Sequence, residues 1–200
     1  MKLKLFLLIF LCFPPFTIKA DSPLTSTPFH DAYTDVDIVL KAEQLGVMNS
    51  EFAEYLHNES NPVEVKAALI NALGWDFNGK LNSEIYCNEI HKRAIDRSDI
   101  SGLNTNELFV IGYLKAMDNY LDPKTSLSFL KQARKKNDES YTVAIIEALV
   151  KAQIAMEKDF CKVWKYGNKV FSNKDLDKDM RSAGIKIIYD YIAIYKNDCK

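Results

Sequence analysis

The clearest structural signal in the chain lies in residues 140–171, SYTVAIIEALVKAQIAMEKDFCKVWKYGNKVF, which predict two helices packed back to back. In each half, apolar residues recur at steps of three and four, and this spacing places them on one side of a helix with about 3.6 residues per turn. Ser140 is a good N-cap, because its hydroxyl accepts a hydrogen bond from a free amide of the first turn. A turn is expected at 156–159. Helices joined by so short a turn lie antiparallel, and one hairpin needs neighbours to cover its remaining apolar surface.

Further helix signals extend the same architecture along the chain. Helix starts are indicated at Asn61-Pro62 and at Asn104, each with an acid three residues after the cap, and helix ends are indicated at Gly46 and Gly74. A last helix, apolar from Met180 to Tyr195, is expected to close the fold. Glycine is scarce and aromatic residues are plentiful, which favours helices over a turn-rich β fold. We therefore predict an all-α domain over 34–200, built either as stacked antiparallel helical hairpins or as a non-repetitive bundle, with a C-terminal capping helix.

A repeat is one interpretation of the hairpins. Ala94, Ala133 and Val170 occupy comparable places in successive second helices, at intervals of 39 and 37 residues, which are typical of helical-hairpin repeats. About a third of the chain resembles tetratricopeptide-type repeats, most visibly in IGYL (111–114), FLKQARKKN (129–137) and DFCKVWKYGNKV (159–170). Gly167 departs from that pattern, since the repeats have a large residue there. The resemblance implies a curved stack whose concave surface binds a peptide or protein.

The first twenty residues predict a secretory signal peptide. Lys2 and Lys4 precede an apolar run that ends at Pro14, and this run is too short to cross the ~30 Å of a bilayer interior. Cleavage is expected after Ala20, so the protein would be exported, to the periplasm or outside the cell, without membrane insertion. Residues 21–33, which are rich in proline and serine and show no period, predict an extended leader.

The charge of the processed chain argues against a nucleic-acid partner. Removal of residues 1–20 takes away three lysines and no acid, so 23 basic residues face 27 acidic ones and the formal charge becomes −4. The remaining length suits a single domain, which we expect to be monomeric. Lys135 and Lys136 end a predicted helix, where the helix dipole explains them, and the alternative is an anion-binding patch.

Three cysteines remain after processing, and an exported protein is expected to oxidise one pair. We predict a disulfide between Cys161 and Cys199, which would attach the last helix to the central hairpin. In the alternative, Cys87 and Cys161 are small buried residues and Cys199 lies at a frayed end.

No metal, cofactor or catalytic residue is expected. Glu84, Cys87 and His91 share one helix face, but His30 lies in the predicted leader and His57 at a helix end, so a zinc site lacks further ligands.

Three alternating aspartates lack the glycine and glutamate of a calcium loop, and negative charge before a helix N-terminus explains them: Asp175, Asp177 and Asp179. The hydrolase motifs HExxH and GxSxG are absent from the sequence.

The segment with the most promise for recognition is the connection WDFNGKLN at 75–82. Loops often hold binding residues, and Trp75, Asp76 and Phe77 stand in a row here, so we predict that they contact a partner. In the alternative, Trp75 folds back onto the helix that ends at Gly74.

These observations predict an exported, non-catalytic helical protein that binds another macromolecule, most simply a protein or peptide. A narrower version neutralises a toxin or hydrolase, by analogy of class alone. The alternatives are a helical cell-wall or polysaccharide hydrolase and a structural component of the envelope. Cleft-lining carboxyl groups with raised pKa would favour the hydrolase, and an exposed apolar or acidic groove would favour binding.

Overall fold

The computed structural model describes residues 22–199, which form an all-α fold without a β-sheet. The predicted signal peptide, residues 1–20, lies outside the described residues. Nine α-helices run in the order α1 Asp37–Leu45, α2 Ser50–His57, α3 Val63–Leu73, α4 Asn82–His91, α5 Thr105–Asp118, α6 Lys124–Lys136, α7 Tyr141–Met156, α8 Phe160–Phe171 and α9 Ser182–Ala193. Short 3-10 helices cover Phe29–Tyr33, Arg97–Gly102 and Ile194–Asp198. Within 22–199, none of the helices has both the length and the apolar character needed to cross a membrane.

The second half of the described chain consists of two antiparallel hairpins, α5–α6 and α7–α8, which pack side by side through α6 and α7. The hydroxyl of Ser140 accepts from the amide of Val143 and caps α7, as its sequence predicts. Asn104 and Glu107 form a reciprocal capping box at the start of α5. The helical pairing expected for residues 140–171 is therefore confirmed.

The first half of the described chain does not repeat this hairpin pattern. Helix α1 packs mainly on α3, and α2 packs mainly on α4, so sequence neighbours are not the main partners there. All residues from Val65 to Leu73 in α3 are buried, which makes α3 a central helix. It begins one residue later than expected, at Val63, and Asn61 donates to the carbonyl of Tyr55 instead of capping it.

The prediction of an extended leader is wrong for residues 22–33. This segment turns after Ser22 and then forms the 3-10 helix Phe29–Tyr33, which packs against α3 and α9. Leu24, Phe29 and Tyr33 are at most 1% exposed. Their apolar side chains have no helical period, but contacts with distant helices bury them all the same.

The C-terminal helix closes the fold, in shorter form than its apolar pattern suggests. Helix α9 stops at Ala193, and the chain continues as the 3-10 helix Ile194–Asp198. Cys161 and Cys199 form the predicted disulfide, with their Cα atoms 4.7 Å apart, while Cys87 is a buried free thiol. The disulfide attaches the end of the described chain to the first turn of α8.

Candidate binding groove

A groove of about 370 Å³ lies between α6, α7 and α8, on one side of the two hairpins. Its polar lining comes from all three helices and from the loops beside them, namely Lys131, Arg134, Lys135, Asp138, Glu147, Lys151, Tyr166, Lys169 and Asn173. Ala144 and Ala148 belong to the same lining, and their small side chains leave room between the helices. We call this feature the basic groove.

Helical periodicity explains why these residues converge. Lys131, Arg134 and Lys135 are spaced three and one residues apart, so they share one side of α6. On α7, Ala144, Ala148 and Lys151 form a similar row, because residues three and four positions apart lie above one another. The antiparallel packing of α6, α7 and α8 then brings these rows to a common opening.

The groove carries an excess of positive charge. Five of its lining residues are basic and only Asp138 and Glu147 are acidic, although acids outnumber bases in the whole chain. Glu147 is 8% exposed, and its Oε1 accepts from Lys151 Nζ at 2.6 Å, so these two charges offset each other. Lys131, Lys135 and Lys169 form no ion pair within residues 22–199. The groove is therefore basic, and it is neither the apolar nor the acidic kind of groove that would favour binding over hydrolysis by the criterion given above.

The two lysines at the end of α6 have different surroundings. Lys135 lines the basic groove, whereas Lys136 Nζ donates to the carbonyl oxygen of Leu103 at 2.9 Å. The helix dipole accounts for basic residues at this position, but it does not require Lys131 and Lys169 to face the same opening. Basic side chains from three helices therefore line one groove, and the dipole of a single helix explains only those at the end of α6.

The sequence pattern missed most of this groove. Lys135 stands out at a helix end, but Lys151 and Lys169 lie on other helices and share a surface with it only after packing. The spacing of Lys131 and Lys135, four residues apart on a helix, was the available signal.

We call the connection at 75–82 the recognition loop. Of the three residues predicted there to contact a partner, one is packed and two are exposed. The ring of Trp75 meets the ring of Tyr120 edge-on, with centroids 5.0 Å apart, so its ring partner follows α5 and does not belong to the helix that ends at Gly74. Asp76 Oδ1 accepts from the backbone amide of Asn78 at 2.8 Å and shapes the turn. Phe77 is 72% exposed. A role of these residues in partner binding stays a prediction.

The same loop is fixed to the fold by Lys80. Its Nζ donates to the carbonyl oxygens of Gly46 and Leu73, both at 2.5 Å, and these two residues lie at the ends of α1 and α3. Its backbone amide donates to the carbonyl of Asp118 at 3.0 Å. Gly79 has φ +83°, and a Cβ there would lie 3.0 Å from the same carbonyl oxygen. Glycine is therefore required at this turn, and no pattern in the sequence had indicated the role of Lys80.

Asp118 has the raised pKa that was expected of a catalytic acid, but its contacts are structural. Burial raises the pKa of this carboxyl group. Its Oδ1 accepts from the amide of Asn82 at 3.1 Å and its Oδ2 accepts from the amide of Ser83 at 2.7 Å. Both carboxylate oxygens thus accept hydrogen bonds from the first turn of α4. The cavity beside Asp118 is lined by no second carboxyl group among the described residues.

The two metal patterns considered in the sequence are not assembled in residues 22–199. Burial raises the pKa of Cys87 to about 11, which keeps the thiol protonated, and Glu84 is exposed on the same helix. Asp179 Oδ2 accepts from Ser140 Oγ at 2.5 Å, and its Oδ1 accepts from the amide of Thr142 at 2.8 Å. Asp179 therefore caps α7, and not the helix that follows it in the chain.

In comparisons with family models, with curated proteins and with solved structures, no match to this chain was found. The class of protein therefore follows from the fold itself, which is an all-α arrangement of packed helices with a basic groove on its two C-terminal hairpins.

Proposed function

We propose that this chain is an exported, non-catalytic helical protein whose basic groove binds an acidic segment of another protein. The observation that carries the proposal is the set of three lysines, Lys131, Lys135 and Lys169, which line one groove and form no ion pair within residues 22–199. A partner with carboxylates at matching positions would complete these charges. Such complementarity raises the association rate and discriminates against basic partners.

The surroundings of the acidic side chains support binding over hydrolysis. A glycosidase needs two carboxyl groups that are free to act on the substrate. The Asp118 oxygens accept from two backbone amides, and Glu147 in the groove is paired with Lys151. The polysaccharide hydrolase therefore remains the alternative with less support.

Export is supported by residues 1–20 and by the disulfide between Cys161 and Cys199, since such bonds persist in oxidising compartments. A small exported domain with a basic groove suits the neutralisation of a toxin or hydrolase that has an acidic surface. A structural role in the envelope is the remaining alternative, and it would not require a groove with unpaired charge.

The test is affinity capture of a partner with residues 21–200 as bait, followed by mass spectrometry and a binding measurement with the purified partner. We expect one stoichiometric protein, bound at least about tenfold more weakly by the triple variant Lys131→Glu, Lys135→Glu, Lys169→Glu and more weakly at high salt. Loss of the partner's activity on mixing would support the neutralising version.

The matched control places the same charge change outside the groove, in the exposed residues Arg97, Lys124 and Lys158, each replaced by Glu. Equal weakening by the control would contradict the groove as the binding site. Turnover of cell-wall or glycan substrates without any protein partner would overturn the binding function. In the binding measurement with the purified partner, Phe77→Ala reports whether the recognition loop takes part in binding.

A further inference from the structure

We propose that His30, Asp31 and Glu43 form a Zn²⁺ site between the N-terminal 3-10 helix and α1. This site goes beyond the proposed function, since it lies on other elements than the basic groove. In the sequence, His30 lies within the predicted leader. The structure folds that segment against the domain and brings the imidazole to a carboxylate on α1.

The separations of the three side chains suit a shared ion better than direct hydrogen bonds. His30 Nε2 lies 3.6 Å from Asp31 Oδ1 and 3.9 Å from Glu43 Oε1, and all three ligand atoms lie within 4.8 Å of one another. Both distances exceed the usual range of a hydrogen bond. Two donors that each lie about 2.1 Å from a tetrahedral zinc ion are roughly 3.4 Å apart, so small side-chain movements would complete the coordination.

The imidazole is oriented by a buried side chain on the central helix. Asn71 Oδ1 accepts from His30 Nδ1 at 2.8 Å and from the His30 backbone amide at 3.1 Å. The Nδ2 group of Asn71 donates to the Thr27 carbonyl and to the Tyr113 hydroxyl, so the amide cannot be turned round without losing these bonds. Nδ1 must therefore carry a proton, which leaves Nε2, on the side of the carboxylates, as the ring atom that can bind an ion. Histidine ligands of metals are typically held by such a second bond.

The donor set favours zinc among common divalent cations. Calcium and magnesium prefer oxygen alone, whereas an imidazole with two carboxylates suits Zn²⁺. Asp31 and Glu43 have no ion-pair partner within residues 22–199 other than His30, so their negative charge is available to a cation. Three protein ligands leave a fourth position for water. A bound ion would join the N-terminal segment to α1 and stabilise the folded state.

The experiment is a titration of the untagged chain, residues 21–200, with Zn²⁺ after treatment with a chelator. Calorimetry should give one saturable site per chain, and the melting temperature should rise with Zn²⁺. With Co²⁺ as a probe, visible absorption typical of nitrogen and oxygen ligands should appear. His30→Ala should weaken binding at least tenfold.

Two further variants keep the test decisive. Asp31→Asn with Glu43→Gln removes the carboxylates at exposed positions and should weaken binding equally without loss of fold. His57→Ala removes an exposed imidazole elsewhere and should leave Zn²⁺ affinity unchanged. The proposal is overturned if no saturable binding occurs, or if neither the His30 variant nor the double variant changes the affinity. These outcomes do not depend on any protein partner.

Discussion

Lys66 is a buried cationic side chain on the central helix α3. It is 1% exposed, and its Nζ donates to Asn106 Oδ1 at 2.5 Å. The Nδ2 group of Asn106 in turn donates to the carbonyl of Leu56 at 3.0 Å, so the pair connects α3 and α5 with the end of α2. Burial lowers the pKa of Lys66 to about 8, and the charge of Glu59 opposes this shift only in part. The lysine therefore holds three helices together at an electrostatic cost.

The pH dependence of stability should reveal this cost. The folded pKa of Lys66, about 8, lies below the unfolded value, so between pH 8 and 10 this amine holds fewer protons in the native state than in the unfolded state, and its contribution to the free energy of unfolding rises with pH. We expect Lys66 to contribute a rise of about 1 to 2 kcal/mol from pH 7 to pH 9.5, measured by urea unfolding as the difference between the original chain and Lys66→Met. Burial raises the pKa of Cys87 to about 11 and also raises the pKa of Tyr113, and both groups act in the opposite direction, so the comparison with the Lys66 variant isolates the contribution of the lysine.

Lys66→Met should remove this rise, because the methionine side chain does not titrate. Lys124→Met, at an exposed position, serves as the control and should keep the pH profile of the original chain. If the Lys66 variant shows the same rise as the control, the buried amine is not its source.

At the scale of the helices, two glycines mark where the elements approach most closely. A Cβ at Gly112 of α5 would lie 2.9 Å from Leu130 Cγ on α6, and a Cβ at Gly167 of α8 would lie 2.6 Å from Ile192 Cγ2 on α9. The absence of a side chain at Gly167 thus makes room for the closing helix. A large residue at position 167, as in tetratricopeptide-type repeats, would overlap Ile192.

Gly167→Ala should destabilise the protein by about 1 to 3 kcal/mol, because overpacking outweighs the better helix propensity of alanine. Ile192 is branched at Cβ and is stiff in a helix, so its methyl group has little freedom to move away. Chemical unfolding of both proteins measures the difference. Gly102→Ala is the matched control, since a Cβ there meets nothing within 4 Å. Equal stability of the Gly167 variant and the original chain would contradict the close contact.

At the scale of the whole molecule, the two ends of the described chain meet. Glu64 Oε2 accepts from the Tyr33 hydroxyl at 2.8 Å and from the Arg181 amide at 2.9 Å, which joins the N-terminal segment, α3 and the start of α9. The guanidinium group of Arg181 stacks over the Tyr33 ring at 4.6 Å and pairs with Asp35. Residues nearly 150 positions apart therefore share one polar cluster.

A chain that starts at residue 34 should lose cooperative folding, in contrast to the chain 21–200. Deletion removes Leu24, Phe29 and Tyr33 from the core, and each buried side chain of this size contributes about 1.5 to 3 kcal/mol. Their sum approaches the whole stability of a domain. Thermal unfolding followed by circular dichroism compares the two chains.

A smaller change tests the same segment without deletion. Phe29→Ala should cost about 3 to 5 kcal/mol, whereas Pro28→Ala, at the exposed neighbour, should have little effect. If the chain 34–200 unfolds as cooperatively as 21–200, the segment is a leader after all and its burial contributes nothing.

Much of the local structure could be predicted from the sequence. As predicted, Ser140 and Asn104 cap their helices, and Gly46 and Gly74 end theirs. These signals are local, since a cap or a stop depends on hydrogen bonds within four residues. The disulfide partner was also predictable, because few cysteines limit the choices.

The tertiary structure alone decided the features that depend on distant residues. Packing between helices, which no local pattern encodes, decides three of these features. It decides whether residues 22–33 fold, which carbonyls Lys80 binds and which lysines share the basic groove. His30 is hydrogen-bonded to Asn71, 41 positions away in the chain. Lys131 and Lys169 line the same groove only because α6 and α8 flank α7. Local hydrogen bonding and apolar periodicity thus determine the helices of this protein, whereas the burial of apolar surface between them determines which charges face one another.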